Sequence, residues 1–140
     1  MEFLLSLRIS GSGMDAQRKR METIAANLAN IETTRTGEGR PYRRKMLILG
    51  TRDMGGFERV LNRQVEGVRV EDIVEDNAPF KKIYNPGHPD ADAAGYLLKP
   101  NVDLVVESTN MLMAKRAFEA NVAAIKTTRQ MALKALEIGR

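Results

Sequence analysis

The sequence predicts a mainly α-helical protein with a small β-rich insert, whose long N- and C-terminal helices pair as a coiled-coil-like hairpin. Apolar residues recur at seven-residue spacing at both ends of the 140-residue chain. Between the ends, apolar and polar residues alternate and are interrupted by Pro and Gly. We therefore predict a discontinuous helical domain, residues 1–35 and 101–140, and an outer β-rich module with loops, residues 36–100.

The N-terminal helix is predicted from two apolar rows. It is expected to end between Asn30 and Thr34, where helix-terminating residues accumulate. Each Gly in a helix interior costs about 1 kcal/mol relative to Ala, so residues 10–13 are a poor place for an isolated helix and the first turns are expected to need a partner. The Gly-containing stretches at 11–13 and 37–39 match no phosphate-binding spacing and are interpreted as hinges or turns. The main row is Leu7, Met14, Met21 and Leu28, and the companion row contains Phe3, Ile24 and Ile31.

The C-terminal helix has a more regular pattern and should begin after Asn101, the predicted N-cap. Gly and Pro are absent from 101–138, so the helix could extend about 55 Å. Its main row is Leu104, Met111, Phe118, Ile125 and Ala132, with Val122 and Leu136 in an adjoining row. Val105, Leu112, Leu133 and, in the first helix, Leu4 fall off these rows and predict a second apolar face for other subunits.

The middle of the chain contains three strand-like stretches. These are residues 46–49, the alternating pair Val68 and Val70, and residues 80–84. About 50 residues can bury only a modest core, so this module should depend on the helices or on neighbouring molecules. Pro and Gly at 85–89 predict a turn.

A basic cluster raises the alternative of nucleic-acid binding. The net charge is +4, and Arg40, Arg43, Arg44 and Lys45 form the densest run. The run contains one aromatic residue and no groove-reading motif, so we predict no nucleic-acid partner.

Few residues in the chain are suited to catalysis. The absence of Cys and the presence of a single His exclude thiolate sites and sites with two imidazoles. His88, Asp90 and Asp92 could bind a metal or transfer protons, but the surrounding Pro and Gly favour a turn. We therefore predict no enzymatic activity, cofactor, metal or small-molecule substrate. The first residues also lack the features of a cleaved signal peptide.

Several motifs resemble the axial proteins of the bacterial flagellum, the rod and hook subunits. SGMDAQ at 12–17 and IAANLAN at 24–30 resemble the pattern that these subunits share. The stretches at 33–45, 84–92, 95–96 and 100–102 are similar to proximal rod subunits in particular. MAKRAFEAN at 113–121 and the final residues 135–140 extend the resemblance over the whole chain. One departure is Lys115, where many relatives carry Gln.

The resemblance implies a structural subunit of the proximal rod, which is needed for motility. Its terminal helices would form the inner tube, and its partners would be proximal and distal rod subunits, itself, the rod-to-membrane-ring adaptor and the type III export apparatus. It would be exported without signal cleavage into a rod that crosses the periplasm. The predicted assembly contacts are Leu7, Met14, Met21, Ile24, Asn27, Leu28, Asn30, Ile31, Leu104, Met111, Arg116, Phe118, Asn121, Val122, Ile125 and Leu136.

Overall fold

The computed structural model describes residues 2–53 and 66–138 and confirms the predicted fold class. Two long helices, α1 (Glu2–Ala29) and α2 (Leu104–Ile138), pack against each other. Four strands lie between them in sequence: β1 (Lys45–Asp53), β2 (Glu66–Glu75), β3 (Lys81–Tyr84) and β4 (Tyr96–Lys99). Within these described ranges, no helix has an apolar stretch of the length needed to cross a membrane.

Helix α1 lies between α2 and the β1–β2 ribbon. It ends at Ala29, one residue before the predicted region, and the Asn30 side-chain amide donates to the carbonyl of Ala26 at 2.9 Å. The interpretation of residues 11–13 as a hinge or turn is wrong, because these residues lie inside the helix. Tertiary contacts offset their low helix propensity: the Ser12 hydroxyl accepts a hydrogen bond from the Val68 amide at 3.1 Å, and Gly13 faces Asn121.

The strands form two antiparallel ribbons and include the three predicted stretches. β1 pairs with β2 from Lys45 opposite Glu75 to Asp53 opposite Glu66, with an irregularity between Ile48 and Leu49. β3 pairs with β4 from Lys81 opposite Lys99 to Tyr84 opposite Tyr96. Such ribbons are only marginally stable alone, so their contacts with the rest of the chain decide whether they form.

The start of α2 differs from the prediction, because Asp103 caps the helix and Asn101 does not. The Asp103 carboxylate accepts from the amides of Val105 at 3.0 Å and Val106 at 3.2 Å. Asn101 accepts from the Arg44 amide and donates to the carbonyls of Asp76 and Ala78. Its side chain therefore attaches the insert to the helix start and cannot cap it.

Candidate assembly surface

The helices pair in an antiparallel arrangement whose register two contacts define. The Asn27 amide nitrogen lies 3.0 Å from a Glu107 carboxylate oxygen. A Cβ on Gly13 would lie 2.9 Å from the Asn121 side chain. The two contacts are fourteen residues apart on both helices, so the register is constant over two heptads.

Small and polar side chains are the most buried in α2, whereas the sequence predicted a main row of apolar residues. Glu107, Ala114 and Thr128 are buried and Asn121 is half-buried, all at intervals of seven. The predicted row lies three positions earlier, where Met111, Phe118, Ile125 and Ala132 are half-buried. Small residues at the closest approach allow the helix axes to come near each other, which displaces the larger side chains to the flanks.

The residues predicted in α1 as assembly contacts are largely covered within the subunit. Ile24 is 5% exposed and Asn27 is buried. The other predicted residues of this segment are half-buried, namely Leu7, Met14, Met21, Leu28, Asn30 and Ile31. Because α1 contacts α2 and the β1–β2 ribbon, these predicted residues are mostly covered, whereas Leu4 near the start of the helix is 68% exposed.

Helix α2 exposes apolar side chains at both of its ends. We call the exposed apolar residues of positions 104–113 the base patch and those of positions 131–138 the tip patch. Among the predicted contacts, Leu104 (59% exposed) and Leu136 (71%) belong to these patches, while Phe118, Asn121, Val122 and Ile125 are half-buried and Arg116 is exposed. The base patch consists of Leu104, Val105, Val106, Leu112 and Met113, and the tip patch of Met131, Leu133, Leu136 and Ile138.

A buried polar cluster joins both helices to the segment before β1. The Asn27 side chain donates to the Lys45 carbonyl at 2.9 Å and accepts from the Lys45 amide at 2.8 Å and the Tyr42 hydroxyl at 3.0 Å. Glu107, which is 0% exposed, accepts from Arg44 Nε at 2.8 Å. The cluster therefore links α1, α2 and the insert through one carboxylate.

The cluster alters the acid–base properties of two of its members. Burial alone would lower the pKa of Arg44, but hydrogen bonds and charges from Glu107 and Asp76 outweigh it and raise that pKa. Burial and the charges of Glu107 and Glu75 raise the pKa of Tyr42. Arg44 therefore remains a cation and Tyr42 a neutral hydroxyl donor at physiological pH.

The basic run is largely engaged inside the subunit. Arg40 contacts Glu38 and Glu75, and Arg44 contacts Glu107 and Asp76. Arg43 donates to the Asp76 carbonyl at 3.0 Å and lies over the ring of Phe80. These arginines are paired with acids and carbonyls of the same chain, which gives the nucleic-acid alternative no support.

The loop with the single histidine forms hydrogen-bonded turns. His88 Nδ1 accepts from the Asp90 amide at 3.1 Å, and Asp92 accepts from the amides of Ala94 and Tyr96 at 2.9 Å. Asp90 accepts from the Thr34 hydroxyl at 2.7 Å, which connects the loop to the segment after α1. No cluster of three potential metal ligands occurs among residues 2–53 and 66–138.

Comparisons with known proteins match both helices and nearly the whole chain. The family described as "Flagella basal body rod protein" matches residues 7–35. The family described as "Flagellar basal body rod FlgEFG protein C-terminal" matches residues 93–138. The flagellar basal-body rod protein FlgC of Bacillus subtilis is 44% identical, over 96% of this chain and 97% of its own. The chain belongs to the FlgC family of flagellar basal-body rod proteins.

Two further FlgC relatives show the same extent of similarity. The protein from Escherichia coli O6:H1 is 39% identical over 94% of each chain. The protein from Yersinia enterocolitica is 37% identical over the full length of both. The chain is therefore a structural subunit of the flagellar basal-body rod.

The sequence of this FlgC-family chain did not reveal the contact between Glu107, which is 0% exposed, and Arg44, which was interpreted only as part of the basic run. A usable signal exists, because Glu107 shares the seven-residue spacing of Ala114, Asn121 and Thr128. A charged residue in such a row requires a partner, and within the described ranges Glu107 forms an ion pair with no cation of either helix.

Proposed function

We propose that this rod subunit joins the proximal part of the rod through the two apolar ends of α2. The observation that carries the proposal is the exposure of the base and tip patches, which include Val105 at 72% and Ile138 at 87%. Large apolar side chains left exposed close together in sequence on a folded protein indicate a contact site. The family supplies the context, a rod made of many subunits.

The positions of the patches favour a head-to-tail arrangement. They lie at opposite ends of a 35-residue helix, so their separation is about 40–50 Å at 1.5 Å per residue. A contact between the tip of one subunit and the base of the next uses two different surfaces, and such heterologous contacts propagate along an axis. This is the geometry that a tubular shaft requires.

The predicted contact residues contribute in two ways under this proposal. Leu104, Arg116 and Leu136 are exposed and can meet a neighbouring subunit directly. The half-buried residues, such as Met111 and Ile125, flank the helix pair and would be covered as a neighbour packs beside it. Ile24 and Asn27 act within the subunit by maintaining the helix pair.

We further propose the division of the chain, the partners, export route and location that the flagellar resemblance implies. Residues 1–35 and 101–140 would form the inner, helical part of the rod and residues 36–100 the outer module. The partners would be proximal and distal rod subunits, further copies of itself, the rod-to-membrane-ring adaptor and the type III export apparatus. The chain would be exported without signal cleavage into a rod that crosses the periplasm, and would have no catalytic role.

The five buried hydrophobic residues among the described positions fit a chain that is threaded unfolded and gains burial on assembly.

Charge insertion in each patch tests the assembly proposal. Val105→Glu and Leu136→Glu should each abolish basal-body completion and reduce swimming at least tenfold, because a carboxylate cannot be desolvated in an apolar contact. Gln130→Glu is the matched control, since it adds the same charge at an exposed polar position of α2. Basal bodies would be counted by electron microscopy, with circular dichroism to verify folding. Wild-type swimming of both patch variants would contradict the proposal.

A further inference from the structure

Glu107 is a buried carboxylate of α2 whose counter-charge comes from the insert. Glu107 lies on the inner side of α2, is 0% exposed and contacts Asn27 of α1. Asn27 is neutral, and within the described ranges no Lys or Arg of either helix forms an ion pair with Glu107. A buried carboxylate without a cation is strongly destabilising.

The cation comes from the insert. Arg44 Nε and Nη2 both lie 2.8 Å from the same Glu107 oxygen. The other Arg44 terminal nitrogen is 3.4 Å from Asp76, and the backbone amide of Asp76 donates to the Arg44 carbonyl at 2.8 Å. Arg44 is thus positioned by the residues that follow β2, and it can reach Glu107 only when the insert is docked.

Other contacts hold the start of α2 to the same part of the insert. Asn101 bridges the Arg44 amide and the carbonyls of Asp76 and Ala78. Lys81 of β3 donates to the Val102 carbonyl at 2.8 Å and lies 3.6 Å from Asp103. The base patch begins at the next residue, Leu104, so the insert also defines where that patch lies.

We propose that Arg44 and Glu107 form a latch that makes pairing of the two terminal helices conditional on docking of the β-rich insert. Before the insert folds, Glu107 opposes helix pairing because its burial leaves an unpaired charge. After the insert docks, Arg44 neutralises Glu107 and the helices close around Asn27. Helix pairing and docking of residues 41–44 and 76–78 are therefore coupled, and each stabilises the other. This inference rests on the geometry of the single subunit and is independent of the assembly proposal.

The first test uses hydrogen exchange of the full-length protein. Arg44→Met should raise the exchange rates of amides in residues 20–29 and 104–114 at least tenfold, because the helix pair loses its counter-charge. Arg43→Met is the matched control, since Arg43 contacts carbonyls and Phe80 of the insert and no helix residue. Equal protection of both helices in Arg44→Met and the parent would overturn the proposal, as would equal effects of the two substitutions.

A double-mutant cycle keeps the proposal testable if Arg44→Met fails to fold. Glu107→Met removes the buried charge, so helix pairing should no longer depend on Arg44. We expect Arg44→Met to change helix protection at least tenfold in the parent and less than threefold in the Glu107→Met background. The same effect in both backgrounds would show that Arg44 stabilises the chain by a route that does not involve Glu107.

Discussion

At the scale of single residues, Asp103 links the stability of α2 to pH. Hydrogen bonds from the amides of Val106 and Val105 lower the pKa of its carboxyl group. The unfolded carboxyl titrates near pH 3.9, so the folded state binds fewer protons around that value. The stabilisation is complete above about pH 5 and is lost as the pH falls through 4 towards the lowered pKa.

Substitution of Asp103 should separate the capping hydrogen bonds from the charge. Asp103→Ala should lower the thermal midpoint by about 2–4 °C at pH 7, the usual effect of losing an N-cap in a chain of this size. Asp103→Asn should retain most of the stability at pH 7, because Asn caps well, and should reduce the loss between pH 5 and 3. Calorimetry across that pH range would measure both. An unchanged acid dependence in Asp103→Asn would contradict the assignment.

Two glycines of α1 should respond differently to the same substitution. A Cβ on Gly11 would meet no atom of another element within 4 Å, whereas a Cβ on Gly13 would lie 2.9 Å from Asn121. Gly11→Ala should therefore raise the free energy of unfolding by about 1 kcal/mol through helix propensity. Gly13→Ala should gain less than half of that, because Asn121 must move. Urea denaturation would compare them, and equal gains would show that the helices are not in close contact at Gly13.

At the scale of elements, α1 and α2 differ in how deeply their isoleucine side chains are buried within the subunit. Ile24 is 5% exposed between α2 and the β1 side of the subunit, while Ile125 is half-buried on the flank of α2. Ile24→Asp should cost at least about 3 kcal/mol of stability and reduce helicity in the isolated subunit. Ile125→Asp should cost about 1 kcal/mol and act chiefly on assembly. Circular dichroism during thermal unfolding would measure the difference, and similar midpoints would contradict the packing described for Ile24.

Periodicity predicted the elements well where a pattern was long. The heptad rows predicted both helices, alternation at Val68 and Val70 predicted β2, and the strand-like stretches 46–49 and 80–84 overlap β1 and β3. β4 was not predicted, because its four residues lie between Gly95 and Pro100 and gain their strand geometry from pairing with β3. Residues 11–13 are not a hinge or turn, but the expectation that this part of the helix needs a partner agrees with its contacts with Val68 and Asn121.

The candidate surface was only partly predictable for a similar reason. The sequence indicated a second apolar face from Leu4, Val105, Leu112 and Leu133, and all four side chains are exposed in the structure. It could not show that α1 would be covered on two sides, since this depends on where the β1–β2 ribbon docks. It also could not assign Arg44 to Glu107, because the pair is separated by sixty-three residues and neither residue has a local signal for the other.

At the scale of the whole molecule, the insert contacts both helices, and α2 exposes large apolar side chains towards each of its ends. The insert contacts α1 through β1 and β2 and holds the start of α2 through Arg44, Asn101 and Lys81. Covering one helix and orienting the other makes the insert a determinant of which surface faces neighbours. Under the proposed assembly, we expect the insert to contribute through the surface that it leaves exposed on the helices.

The tip of α2 offers the most direct test of this organisation. The register set by Asn27 with Glu107 and Gly13 with Asn121 places Glu2 opposite Ala132. Residues 133–138 of α2 therefore extend past the start of α1, and Leu133, Leu136 and Ile138 are exposed there. A chain ending at Ala132 should keep its thermal midpoint within about 2 °C, because surface residues without partners contribute little to stability.

The same truncated chain should fail to form rods, because it lacks most of the tip patch. A full-length variant with Leu133→Gln, Leu136→Gln and Ile138→Gln is the control for length, and it should fail equally if apolar contact is the decisive property. Co-sedimentation of purified rod subunits and counts of basal bodies in complemented cells would provide the readout. Rod formation at the parental level by the glutamine variant would show that helix length matters and the apolar tip does not. Loss of the thermal transition in the truncated chain would instead place residues 133–138 within the folded core of the subunit.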